Sequence, residues 1–188
     1  DGDRLICTPG GPDASVVALN KSTGETIWTS KGLSEQSAYC SPILVERGGA
    51  RLIVTMTAKS VVGLDAGGGS VVWQVPFDAN EVDQNHSITP VYENGLLYVT
   101  SGHGKGGTMF ELSSDGRAIA QKWSDTELNC LHGGMVMIDG FVYGASASHR
   151  WICLRASDGK LMYKTSGVGM GSIVYADGNL YCYGEKGM

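Results

Sequence analysis

One phrase recurs four times along this chain and limits what it can fold into. It first reads Val16-Val17-Ala18-Leu19-Asn20-Lys21-Ser22-Thr23-Gly24-Glu25-Thr26-Ile27-Trp28. It returns as Val61-Val62-Gly63-Leu64-Asp65, closed by Gly69-Ser70-Val71-Val72-Trp73. A third copy runs Met109-Phe110-Glu111-Leu112, Asp115-Gly116 and Trp123. The fourth is Ile152-Cys153-Leu154-Arg155, Asp158-Gly159-Lys160-Leu161-Met162-Tyr163. From the shared Leu, Gly comes five residues later and the aromatic nine later in copies one, two and four. Copy three departs, with Gly116 four later and Trp123 eleven later. Four copies in 188 residues mark a repeat array.

Each copy joins an apolar, strand-type run to a tight turn ending in Gly, then to a second run closed by a large ring. Gly24, Gly69, Gly116 and Gly159 supply the positive φ that a short hairpin needs. The ring buries far more apolar area than Val could. If each hairpin sits in its own small sheet, Trp28, Trp73, Trp123 and Tyr163 are the natural fillers between neighbouring sheets.

Two further strand-like runs precede the later copies. They are Ser41–Glu46 with Arg51–Thr57, Ser87–Tyr92 with Leu96–Ser101, and Gly134–Ile138 with Phe141–Ser146. Ser172–Tyr175 and Asn179–Tyr183 follow copy four. The unit is therefore four antiparallel strands: inner, second, third and outer. The closing aromatics are 45, 50 and 40 residues apart, the period of a β-propeller blade. A sandwich gives no reason for a recurring Gly-then-Trp phrase.

The expected fold class is all-β, a propeller of four-stranded antiparallel blades. Blades are expected near residues 1–30, 39–77, 86–124, 132–166 and 171–188, the last incomplete. The chain opens on a second strand and closes on one. The expectation is an arc of about four blades from a larger, seven- or eight-bladed ring, with open edges that need further blades or another chain. Ser34–Ala38 and Asp78–Gln84 are predicted to hold a helical turn or two in the linkers.

Composition removes several function classes. Lys and Arg number 14 against 19 Asp and Glu, a formal charge of −5 with no basic run, which argues against nucleic acid. No apolar stretch approaches the length that spans a bilayer as a helix. Gly is 28 of 188, about double the usual share, which here means many turns. The five cysteines, Cys7, Cys40, Cys130, Cys153 and Cys182, show no CxxC or adjacent pair and read mostly as small buried hydrophobes.

In a propeller, outer-to-inner linkers share one face with the loops joining second and third strands. That sorting places His86 and His132 at the start of inner strands, near the central channel, and His103 and His149 in second-to-third loops. Asn85, Lys105, Asn129, Cys130 and Arg150 join them. Binding residues concentrate on loops held by a rigid scaffold, so these are the candidate ligand or partner contacts. No His pair shows a recognised metal-ligand spacing, and no metal site is expected. Gly102-His103-Gly104-Lys105-Gly106-Gly107 resembles a phosphate loop only superficially, since no helix follows it. Asn20-Lys21-Ser22 and Asn85-His86-Ser87 match a glycosylation acceptor pattern that is frequent by chance.

Ala18-Leu19-Asn20-Lys21-Ser22-Thr23-Gly24-Glu25-Thr26-Ile27-Trp28 resembles the repeat of the pyrroloquinoline-quinone-like (quinoprotein alcohol-dehydrogenase-like) β-propellers, and Gly63–Trp73 is close to it. In that family the Trp docks between blades. The resemblance covers nearly the whole chain and implies the fold. It implies two functions: non-catalytic propellers that scaffold or bind, and quinone-dependent alcohol or sugar dehydrogenases that use pyrroloquinoline quinone with calcium. Those dehydrogenases often carry an adjacent cysteine pair, which this chain lacks. The expected function is thus non-catalytic binding of a protein, peptide or glycan through the long-loop face, with no cofactor; a dehydrogenase fragment is the alternative. Its candidate carboxylates are Glu81, Asp83, Asp125 and Glu127. The resemblance also implies an exported or periplasmic bacterial protein.

Overall fold

A computed structural model describes residues 1–77 and 85–187. Its strands form five antiparallel sheets, each a simple meander in which sequence neighbours pair. The first sheet holds β1 (Arg4–Cys7), β2 (Val17–Asn20) and β3 (Thr26–Thr29). The second holds β4 (Ile43–Arg47), β5 (Ala50–Met56), β6 (Ser60–Asp65) and β7 (Val71–Pro76). The third holds β8 (Val91–Glu93), β9 (Leu96–Ser101), β10 (Gly106–Leu112) and β11 (Ile119–Asp125). The fourth holds β12 (Met135–Ile138), β13 (Phe141–Ser146), β14 (Arg150–Arg155) and β15 (Leu161–Thr165). The fifth pairs β16 (Gly171–Ala176) with β17 (Asn179–Gly184). No element among the described residues is a helix.

The repeated phrase forms the third-to-outer hairpin of each of the first four sheets, and its Leu-to-Gly spacing selects the turn. Where the spacing is five, the Gly amide donates back four residues: Gly24 to Asn20 O, Gly69 to Asp65 O and Gly159 to Arg155 O. All three glycines have φ between 73° and 76°. The extra residue appears as a bulge, with register shifts at Ala18/Leu19, Gly63/Leu64 and Cys153/Leu154. In copy three the spacing is four, and Gly116 donates only three residues back, to Ser113 O. Side chains brace the turns: Asn20 Oδ1 accepts from the amides of Ser22 and Thr23, and Asp65 Oδ1 from that of Gly68.

The chain divides into two compact units. The first is Asp1–His86 with Leu112–Ile119; the second is Ser87–Glu111 with Ala120–Met188. The core of the first gathers Val16, Ala18, Trp28, Leu33, Ile53, Val62 and Leu64. Trp28 is 8% exposed, and its indole N–H donates to Ala66 O at 3.2 Å. Trp73 is 7% exposed and donates to Gly116 O at 3.1 Å. The core of the second gathers Tyr98, Met109, Leu128, Val142, Ile152 and Leu154, with Trp123 packed against it. Trp123 donates to Ala156 O at 3.0 Å. In each case a ring on an outer strand bonds to a carbonyl in the third-to-outer turn that comes next along the chain. The bond satisfies the one polar atom that burying the ring removes from water.

Three expectations are corrected. Tyr163 is not buried as the first three rings are: it is 48% exposed, its ring 6.4 Å from that of Tyr143, and it lines an open cleft with Ile173, Leu180 and Cys182 of the fifth sheet. Ser34–Ala38 is not helical but extended, because its backbone bonds outward. Gly11 N donates to Glu35 O, Ala58 N to Gln36 O, and Ser37 bridges Thr57. Cys182 is exposed rather than buried, unlike Cys40, Cys130 and Cys153. The second predicted helical turn, Asp78–Gln84, lies outside the described residues.

Candidate functional site

Most of the candidate loop residues fall in the second unit, where the linker between the third and fourth sheets organises them. Leaving β11, the chain turns at Asp125, whose Oδ1 accepts from the amides of Glu127 and Leu128. Its Oδ2 accepts from the buried Tyr98 hydroxyl at 2.7 Å. Burial raises the Asp125 carboxyl above its ordinary value against these bonds, and burial beside that carboxyl raises the Tyr98 hydroxyl well above its own. Thr100 Oγ1 then holds Leu128 O at 2.6 Å.

Asn129 joins two loops. Its Oδ1 accepts from Gly104 N at 3.1 Å, in the β9–β10 turn, and its backbone oxygen accepts from Ala147 N at 2.8 Å, in the β13–β14 turn. His103 and His149 occupy the left-handed position of those two turns, with φ of 64° and 58°. Both are exposed, as is Arg150; Lys105 is half-buried. That conformation is costly for non-Gly residues, so both histidines mark backbone that its turn holds in place.

His132 is exposed, its Nε2 3.0 Å from Glu185 Oε1 beyond β17. His149 lines an open cleft of about 430 Å³ with Ser166, Met170, Glu185 and Lys186. Cys130 is buried; its thiol donates to His132 O at 3.2 Å, and burial pushes it up to about 12. It serves the linker rather than a surface.

His86 and Asn85 lie in the first unit. Asn85 is exposed. His86 is not at a channel mouth: it is fully buried, with Nε2 3.2 Å from Ala58 O and its ring edge-on to Phe77 at 5.2 Å. It precedes β8 by several residues and seals the end of the second sheet. The structure therefore assembles His103, Lys105, Asn129, His132, His149 and Arg150 within one unit, and places His86 in packing.

Two of the four carboxylates considered for quinone chemistry already have partners. Asp125 holds its turn, and Glu127 Oε2 accepts from Lys164 at 2.8 Å. Glu81 and Asp83 lie outside the described residues. Among the described residues no group of three or more His, Cys, Asp or Glu converges as a metal donor set. No helix among them is long and apolar enough to cross a membrane.

Two features escaped sequence reasoning. Glu35 is a hub: its carboxylate accepts from the hydroxyls of Thr57 and Ser60 and from Gln74 Nε2. Arg4 and Arg51 both lie at the start of a second strand but one register position apart, since Arg4 pairs with Asn20 and Leu52 with the equivalent Asp65.

No curated protein matches the chain significantly. Among solved structures, BamB from Moraxella catarrhalis superposes with a TM-score of 0.66 at 14% identity, covering 100% of this chain and 68% of that one. The computationally designed Ika8 protein gives 0.68 at 11% identity, with 98% and 54% covered. Quinohemoprotein alcohol dehydrogenase ADHIIG from Pseudomonas putida HK5 gives 0.63 at 14% identity, with 88% and 37% covered. The chain thus spans about half of the designed protein and little more than a third of the dehydrogenase. At these identities the likeness establishes the fold, a β-propeller of four-stranded antiparallel blades. A family model described as outer membrane protein assembly factor BamB matches residues 1–165. The chain belongs to that family, the pyrroloquinoline-quinone-like β-propeller repeat proteins.

Proposed function

We propose that these residues form part of a non-catalytic propeller that binds or scaffolds a protein, peptide or glycan partner through its long loops. The observation that carries this reading is the Asn129 clamp. It ties the β9–β10 and β13–β14 turns to one linker and so presents His103, Lys105, His149 and Arg150 from fixed backbone. Preorganised polar and cationic side chains suit recognition, because little entropy is lost on binding. The family description, an outer membrane assembly factor, supports a protein partner and an exported, periplasmic setting in a bacterium. We read the three indole-to-carbonyl bonds as the family's tryptophan docking motif. The blade limits expected from the repeats, 1–30, 39–77, 86–124, 132–166 and 171–188, belong to this proposal.

The competing reading is a piece of a quinone-dependent dehydrogenase, supported by the fold shared with the alcohol dehydrogenase. One pair of measurements separates them. Binding to peptide and glycan arrays is compared between the protein and a His103→Ala/Lys105→Ala/Arg150→Ala variant; loss of the bound features in the variant is expected. The protein is also titrated with pyrroloquinoline quinone and calcium, watching for a bound chromophore. Saturable quinone binding with alcohol-dependent dye reduction overturns the non-catalytic reading.

A further inference from the structure

The first unit carries an arginine-lined cleft at the glycine-turn ends of its strands. Its volume is about 350 Å³, and Arg4, Arg51 and Arg117 line it together with Asp65, Leu52 and Val72. Three arginines in one cleft stand out in a chain whose formal charge is −5.

Each arginine is placed by a different turn. Arg4 opens β1, and its Nη1 donates to Ala66 O at 2.7 Å, the carbonyl that also receives the Trp28 indole. Arg51 lies on β5, with Nε 2.8 Å from Glu46 and Nη2 2.5 Å from Asp1. Arg117 follows the β10–β11 turn. That turn is seated by Trp73 on Gly116 O and by Arg47 Nε on Ser113 O at 3.1 Å. Gly48, with φ of 55°, lets the β4–β5 turn lie directly on Ser114, where a Cβ would collide with backbone. The packing that locks the turns therefore also places the backbones from which the three arginines reach the cleft.

We propose that this cleft binds an acidic peptide segment through arginine–carboxylate pairs. Guanidinium groups bind carboxylates through forked, charge-assisted hydrogen bonds. They come from three separate elements, which suits several carboxylates spaced along a chain better than one compact anion. Leu52, Ala50 and Val72 add an apolar wall that side-chain methylenes cover and a bare phosphate leaves wet. Asp65 is the carboxylate lining the cleft, and its Oδ1 is already bonded to Gly68 N. Glu46 and Asp1 engage Arg51 and set a competition that the ligand must win.

The test is fluorescence anisotropy of fluorescein-labelled hexaglutamate titrated with the whole chain at low ionic strength. Saturable binding that weakens as salt rises is expected, with labelled hexalysine not bound. Arg117→Glu sits in an exposed turn and is expected to weaken binding about tenfold or more. Arg51→Gln supplies a second variant if the first does not fold, and circular dichroism checks each. Absence of saturable binding overturns the proposal. So does a loss produced by Arg150→Glu and not by Arg117→Glu, which moves the site to the long loops. Displacement of the peptide by inorganic phosphate at equal concentration also overturns it, in favour of a small-anion site.

Discussion

Removing the indole of Trp73 tests whether the repeated rings hold the sheets together. An indole buries up to ~250 Å², and Trp73 is only 7% exposed. At ~25 cal/mol per Å² this is roughly 6 kcal/mol. A compact unfolded chain lowers the figure to about 4 kcal/mol. Loss of the N–H bond to Gly116 O adds about 1 kcal/mol. Trp73→Ala should therefore cost about 4–5 kcal/mol, near the upper end for such truncations. Tyr163 is 48% exposed. About half of a ~200 Å² ring gives roughly 2.5 kcal/mol before the same correction and about 1.5–2 after it. The assay is urea unfolding followed by far-ultraviolet circular dichroism, since a tryptophan signal changes with the substitution itself. A Tyr163→Ala cost equal to or above that of Trp73→Ala refutes the argument that burial and the turn carbonyl make the difference.

Three further outcomes are expected. Gly24→Ala meets open space and carries only left-handed strain, about 1 kcal/mol. Gly69→Ala adds a collision with the Trp28 ring and should cost about 1–3 kcal/mol more by urea midpoint. The Asp125 carboxyl is raised, so the folded state holds its proton more tightly than the unfolded chain. Its contribution is greatest below the ordinary carboxylate pKa, about 4, and is lost as pH rises through the folded value. The stability of wild type minus that of Asp125→Asn should thus fall across that window; a rise would contradict it. At mildly alkaline pH, a thiol reagent such as dithionitrobenzoate should react with exposed Cys182 before unfolding, and with Cys40, Cys130 and Cys153 only after it.

The fold was legible because its signal is repeated and local. A Leu-to-Gly spacing of five or four separates the two turn types found, and a period near 45 residues gave the blade. Tyr163 shows the limit: its phrase matches copies one and two, yet a ring's burial is set by what packs over it, which the phrase itself does not encode. Ser34–Ala38 fails likewise, because Ser15 Oγ on Leu33 O and Glu35 O holds it extended from a distant position. His86 looked like a loop ligand by phase, and only the packing of Phe77 shows it is buried. The arginine cleft needs three turns packed together, which no single stretch encodes.

The forward reach of the indoles has a consequence for how such a chain is made. Trp28, Trp73 and Trp123 find their carbonyls 38, 43 and 33 residues downstream. During synthesis, the carbonyl that each of these three rings bonds emerges only with the following hairpin, so each of the first three sheets is completed by chain made after it. Contacts of this modest range favour quick, stepwise closure from the amino end. A ribosome paused within such an interval would leave one indole bare, and that indole is what a chaperone would meet first.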